Sequence, residues 1–454
     1  MRCTWKCVVE CWSNLLKPVQ LRSPRIGSQS TASHKLAVGC MLVAALFLEL
    51  ANAADISVAP GQGTLQLAID QAPNGASLQL QPGTYTGGVI VNKPLTLQGQ
   101  QASVVDAGGK GHVIEIDAPN VVIRNLTISG SGDSLASEDS GIFVTQNSAN
   151  VVIQHNRLEA NLIGIYIKGA ANALLRNNTI IGSQNPHMND RGNSVQIWNA
   201  DGAIVEGNFL KFGRDGIFVT TSRNNVYRDN HIEDMRFAIH YMYTHDSTLS
   251  GNVSLRNHSA FALMFSDRLK VVNNVSDSSR DRGLFLNFVN YSSFIDNTVR
   301  GGTDKCVFIY NATSNLFSDN QFSDCDIGIH YTAGSDKNSI TRNSFSGNRS
   351  QVKYVGTRHI EWSVNGQGNY WSDNPAFDLD NNGIADRPYY PNDLVDQIIW
   401  RYPLAKLLIN SPATQVLRWA QSEFPSLHPG GITDSAPLMN RPASQLITVS
   451  ENND

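Results

Sequence analysis

The chain has 454 residues, only 16% of them charged, with 39 Asp+Glu against 35 Lys+Arg and a formal net charge of −4. A slightly acidic chain of this kind excludes a general nucleic-acid binder, which carries a basic footprint. So few charges, with 36 glycines and abundant Asn and Ser, fit a turn-rich β repeat array better than a helical protein.

Residues 1–54 read as a leader. Lys35 precedes an apolar run from Leu36 to Leu48, and the small residues Ala51-Asn52-Ala53 follow, the pattern of a secretory signal cleaved near Ala53/Ala54. The run is short for a membrane span. Met1 to His34 is long for the basic part of a signal, which points to a misassigned start codon. Gly39-Cys40 resembles a lipoprotein box, but the apolar run follows the cysteine instead of preceding it. Removing the leader's six Lys/Arg and two acids leaves a formal charge of −8, compatible with handling cations. Cys3, Cys7, Cys11 and Cys40 leave with it; Cys306 and Cys325 remain, without zinc-type spacing. They read as a disulfide, as inert thiols or as metal thiolates, and an oxidising compartment permits the first.

Thr64 to Ala72 predicts a short helix covering the open end of an array, ended by Pro73-Asn74-Gly75. Val89–Val91, Leu95–Leu97 and Val121–Ile123 predict strands of irregular first coils. A strict repeat follows: Asn156, Asn178, Asn208, Asn230, Asn252, Asn274, Asn297, Asn320 and Asn343 are separated by 22 or 23 residues, with one gap of 30. This periodicity predicts an all-β fold, a right-handed parallel β-helix over residues 55–371, with the asparagines stacked at strand spacing. Period-two alternation places two columns in the bore: Ile165, Val195, Ile217, Ile239, Phe261, Leu284, Val307, Ile329, and Ile167, Ile197, Val219, Tyr241, Leu263, Leu286, Ile309. The longer gap places an insertion near Ser183 to Asn193, a loop projecting from one side.

The outward columns carry the candidate chemistry. One reads Tyr166, Gln196, Phe218, His240, Ala262, Phe285, Phe308, His330; the next reads Lys168, Trp198, Thr220, Met242, Met264, Asn287, Tyr310, Thr332. Met242 and Met264 should stack on neighbouring coils beside His240, and thioether plus imidazole suits Cu(I). The competing reading is a protein-binding patch including Trp198, Phe218 and Tyr243. His187 and Met188 on the inserted loop could join either. No acid stands in these outward columns. Asp215, Asp234, Asp267 and Asp281, near Arg214, Arg236, Arg268 and Arg282, read as salt-bridged turns.

Residues 372–400 form an Asp/Asn-rich loop region. Asp378, Asp380, Asn382 and Asp386, with Gly383, resemble half of a calcium loop, but Tyr389 replaces the closing Glu; a turn held by side-chain hydrogen bonds is the alternative. Residues 401–454 read as a tail, with short helices at Ala405–Asn410 and Ala413–Phe424. Trp400, Leu417, Trp419 and Phe424 either pack back on the solenoid or dock a membrane partner. Residues from Pro425 onward read as extended or disordered.

Ile239-His240-Tyr241-Met242-Tyr243, Tyr354-Val355-Gly356-Thr357-Arg358, Gly368-Asn369-Tyr370-Trp371-Ser372-Asp373 and Leu417-Arg418-Trp419-Ala420-Gln421 resemble the NosD family of periplasmic β-helix proteins over about residues 55–440. The resemblance implies an accessory role in denitrification. Such a protein works with an ABC-type ATPase, a membrane permease and a lipoprotein copper chaperone to assemble the copper-sulfur centre of apo nitrous oxide reductase. It implies transient Cu(I) at His240, Met242 and Met264, a permease contact in the tail, and no enzyme activity of its own. The alternative on the same scaffold is a periplasmic polysaccharide lyase or epimerase.

Overall fold

The computed structural model describes residues 55–100, 102–354, 356, 358–408, 411–424 and 430–443. The leader, with its signal and its four cysteines, lies outside the described residues. From Asp55 the chain winds as a parallel solenoid of three sheets. The first holds 13 strands from Asp55–Val58 to Ser339–Thr341, the second 13 from Gly83–Thr86 to Tyr370–Trp371, and the third 12 from Val89–Val91 to Ser350–Tyr354. Each strand pairs with its equivalent one coil away, so identical coil positions lie above one another.

Both predicted bore columns are buried without exception. The asparagine ladder closes one corner. In each rung the side-chain Oδ1 accepts from the backbone N–H and the Nδ2 of the asparagine before it, as between Asn252 and Asn274 at 3.0 and 2.9 Å. Each Nδ2 also donates to a carbonyl one coil back, as Asn274 does to Leu249 at 3.0 Å. A buried polar row of this kind is tolerated because its members satisfy one another. It runs one rung beyond the predicted repeat, to Asn369.

Helix Thr64–Gln71 buries Leu65 and Ile69 against the first coil, the cap expected there. The insertion contains a short 3-10 turn, Met188–Asp190. Cys306 and Cys325, both buried, form a disulfide with Cα atoms 5.7 Å apart; of the three readings, the structure holds the first.

The C-terminal region departs from expectation in two ways. The loop region is not irregular to residue 400: Asp393 forms a capping box and starts helix Leu394–Arg401, followed by a 3-10 segment Pro403–Leu408 and helix Pro412–Glu423. Residues 430–443 are neither free nor disordered. Gly431–Thr433 pairs in parallel with His359–Glu361, and buried Asp434 plugs the end of the asparagine ladder. Its Oδ2 accepts from the backbone N–H of Asn369 and from Trp371 Nε1, each at 2.7 Å. A terminal coil exposes its bore, and Trp362, Trp371 and Ile432, all buried, close this one.

Candidate functional site

The site lies on the outer face of the third sheet, where strands Asp215–Arg223, Phe237–His245, Ser259–Asp267 and Arg282–Asn290 run side by side. Met242 and Met264 are register partners, so their backbones lie about 4.8 Å apart. Met264 pairs in turn with Asn287. Both methionines are half-buried, and His240 stands on the same face two residues before Met242.

The outward column is not the solvated face that alternation alone predicts. His240 is only 8% exposed, because its ring is flanked by Phe218 at 5.0 Å and Phe237 at 4.9 Å. Its Nδ1 lies 3.1 Å from Asp215 Oδ2. Its Nε2 is buried without a hydrogen-bond partner, and so is Asn287 Oδ1. An unpaired buried polar atom costs about 1–3 kcal/mol, so each asks for an explanation. Asp215 is itself buried and is gripped by Arg236 through two bonds of 2.8 and 2.5 Å. Burial raises its pKa, but hydrogen bonds from His240 and Arg236, with the Arg236 charge, hold it below the usual carboxylate range. The register thus puts one imidazole and two thioethers on one face of adjacent coils, residue types whose donor chemistry suits a soft cation.

An aromatic ridge borders the methionines. Tyr243, Phe265 and Phe288 follow Met242, Met264 and Asn287 and stack with centroids 5.1 and 5.3 Å apart. All three hold left-handed backbone, with φ of 55, 49 and 53°. The equivalent turn position is also left-handed in the neighbouring coils, at Asn199 and Thr221 before them and Asn311 after, so the coil geometry imposes it whatever the side chain. Tyr243 and Phe288 stand exposed, so the ridge presents apolar surface beside the methionines. Phe265 and Phe288 escaped the sequence reading, although their 22- and 23-residue spacing after Tyr243 was available.

The other expected residues lie partly at this face and partly away from it. Trp198 is exposed one coil before Thr220, in the methionine column, and Phe218 is half-buried against His240. His187 is exposed and Met188 half-buried on the insertion. Asp378, Asp380 and Asp386 bring carboxylate oxygens within 4.8 Å of one another. That loop is also held internally: Asp378 accepts from Gly383 N–H at 2.8 Å, and Asn382 Oδ1 from Ile384 N–H at 2.8 Å. In the tail, Arg418 bridges Asp393 at 2.8 Å and Gln421 Oε1 accepts from Leu394 N–H at 3.0 Å, tying the two helices together. Trp400 is half-buried, whereas Leu417, Trp419, Phe424, Leu404 and Leu407 stand exposed, an apolar surface of the kind that marks a protein or membrane contact. Among the described residues no helix is long and apolar enough to cross a membrane.

The expected absence of outward acids does not hold for the early coils. Glu115 stands in the outward column, in register with Phe143 and Tyr166. Of the expected Arg–Asp turns, Arg236–Asp215 and Arg282–Asp281 pair, whereas Asp234 pairs with Arg256 at 3.1 Å, Arg268 with Asp246 at 2.5 Å and Asp267 with His245 at 3.5 Å, and Arg214 Nε is buried without a hydrogen-bond partner.

A family profile described as periplasmic copper-binding protein (NosD) matches residues 181–376, and a right-handed β-helix profile matches residues 101–210. A probable ABC transporter binding protein NosD of Stutzerimonas stutzeri is 36% identical over 93% of this chain and 98% of its own length. This chain belongs to the NosD family. A second NosD, from Pseudomonas aeruginosa, is 36% identical over 81% of this chain and 89% of its own length. Among solved structures, the surface adhesin PfbA of Streptococcus pneumoniae superposes with a TM-score of 0.56 at 16% identity, covering 67% of this chain and 93% of its own. A family 28 exopolygalacturonase of Yersinia enterocolitica gives 0.52 at 11%, covering 66% and 77%. These two likenesses concern the β-helix fold alone; the NosD relatives carry the family.

Proposed function

We propose that this NosD-family chain is a periplasmic accessory protein of nitrous oxide reductase maturation. It takes Cu(I) from a lipoprotein chaperone at His240, Met242 and Met264 and hands it on as the copper-sulfur centre of the apo-reductase is assembled. The observation that carries this reading is the buried, unpartnered Nε2 of His240 on the same face as two register-matched methionines. Copper here is cargo, so a site of soft ligands on an outer face serves it better than a closed structural site. Trp198, Phe218, Tyr243, Phe265 and Phe288 supply the surface on which chaperone and reductase dock in turn, and His187 and Met188 are a secondary pair on the insertion. The exposed apolar helices with Trp400, Leu417, Trp419 and Phe424 engage the permease of an ABC-type transporter, whose ATPase hydrolyses ATP. The chain itself is not an enzyme; the lyase or epimerase alternative draws on fold alone. Calcium in the Asp378, Asp380, Asn382, Asp386 loop would act structurally and raise Tm on addition.

The test is the double substitution Met242→Ala with Met264→Ala. Cu(I) uptake, measured by competition with a chromogenic chelator, should fall at least tenfold while the far-UV spectrum is unchanged, and reductase copper content should fall with it. Unaltered uptake and loading would overturn the metal assignment.

A further inference from the structure

We infer that Asp215 and Arg236 are positioning residues that lock the His240 ring in one tautomer, with the proton on Nδ1 and the lone pair of Nε2 free. The inference rests on the reading of His240 as a cargo ligand, and it assigns a task to a buried ion pair that this reading leaves unused.

Three coil positions converge. Asp215 opens one strand and His240 lies in the next, and the strands are aligned so that Asp215 sits opposite Phe237 and Phe218 opposite His240. Arg236, in the turn before Phe237, reaches back across the coil boundary and holds both Asp215 oxygens, at 2.8 and 2.5 Å. Its guanidinium also lies 4.5 Å from the centroid of the Phe237 ring, whose other neighbour is His240 at 4.9 Å. The carboxylate is therefore fixed before the imidazole meets it. An ionised carboxylate offers only acceptors, so the group 3.1 Å away at Nδ1 must donate. The proton then resides on Nδ1, and in the neutral ring Nε2 is left as an acceptor with nothing to accept. A purely structural Asp–Arg pair would not need a histidine whose second nitrogen stays buried and unpaired. A carboxylate behind a metal-binding imidazole orients the ring and raises its basicity, and losing such a partner typically weakens metal binding 10–100-fold.

The decisive variant is Asp215→Asn. Its amide nitrogen can donate to Nδ1, which would move the imidazole proton to Nε2 and block the lone pair, while the side-chain volume is kept. Asp215→Glu and Arg236→Lys retain charge and are the conservative comparisons. The copper-free mature protein is examined by nitrogen-15 NMR of its histidines, with His240→Gln identifying the His240 signal, and Cu(I) affinity is measured separately by chelator competition. Wild type should show a single tautomer with protonated Nδ1. Asp215→Asn should show protonated Nε2 or a mixture, with Cu(I) affinity lowered 10–100-fold and melting still cooperative; Arg236→Lys should keep the tautomer and lose less affinity. A wild type that exchanges between tautomers, or an Asp215→Asn protein with unchanged tautomer and affinity, overturns the inference. A locked tautomer in a wild type that takes up no Cu(I) supports the positioning and overturns the copper reading instead.

Discussion

Asn274→Ala tests whether the asparagine ladder is a structural spine. Asn274 sits mid-ladder and is 1% exposed. Its Oδ1 accepts from Asn252 N–H at 3.0 Å and Asn252 Nδ2 at 2.9 Å, and its Nδ2 donates to the carbonyls of Leu249 and Val272 at 3.0 and 3.1 Å and to Asn297 Oδ1 at 3.0 Å. Alanine keeps the backbone N–H that donates to Asn297 Oδ1 at 3.0 Å, and Asn252 Nδ2 keeps the Tyr227 carbonyl at 2.9 Å. What is stranded is the Asn252 N–H, and what is lost is the amide's three donor contacts, to Leu249, Val272 and Asn297 Oδ1, shared by its two hydrogens. At about 1–3 kcal/mol for the stranded group and about 1 for each of the two amide hydrogens, the cost is about 3–5 kcal/mol. The control is Asn150→Gly, in an exposed stack that makes similar amide bonds of 3.2 Å to Asn120 and from Asn172. Asn150 has φ 60°, which glycine accepts, so water replaces the lost bonds and the change stays within about 0.5 kcal/mol. Urea unfolding followed by far-UV circular dichroism reads both variants against wild type, with the slope checked for lost cooperativity. An Asn274→Ala midpoint shift no larger than that of Asn150→Gly would refute the reasoning.

Asp434→Ala should strand Trp371 Nε1 and the Asn369 N–H, now each bonded at 2.7 Å; tryptophan emission should shift and residues 430–443 become protease-sensitive before global unfolding. Burial first, then the charges of Lys353, Lys305 and Arg282, lower the His330 pKa to about 4, with Asp304 opposing them. The unfolded ring titrates near 6.5, so stability present above that value should fall as the pH drops toward 4, and His330→Gln should flatten that part of the profile. Reducing the Cys306–Cys325 bond, which spans 19 residues, should cost about 3 kcal/mol by loop-closure entropy, read as a lower Tm in reductant; an unchanged Tm would show that the bond adds no stability.

The periodicity of Asn156 to Asn343 was sufficient for the solenoid, the bore columns and the pairing of Met242 with Met264. In a stack of equal coils, spacing along the chain converts directly into spacing in space. It did not reveal that His240 is enclosed, because that depends on Asp215 and Phe237 at the starts of their strands and Arg236 in the turn before, where side-chain direction breaks the alternation. The ridge of Phe265 and Phe288 was visible as a spacing, but that the rings stack on Tyr243 is shown only by the structure. The return of residues 430–443 had no periodic signal at all. It is one long-range pairing at an open end, decided by which side chains can cover Trp371 and satisfy the last rung of the ladder.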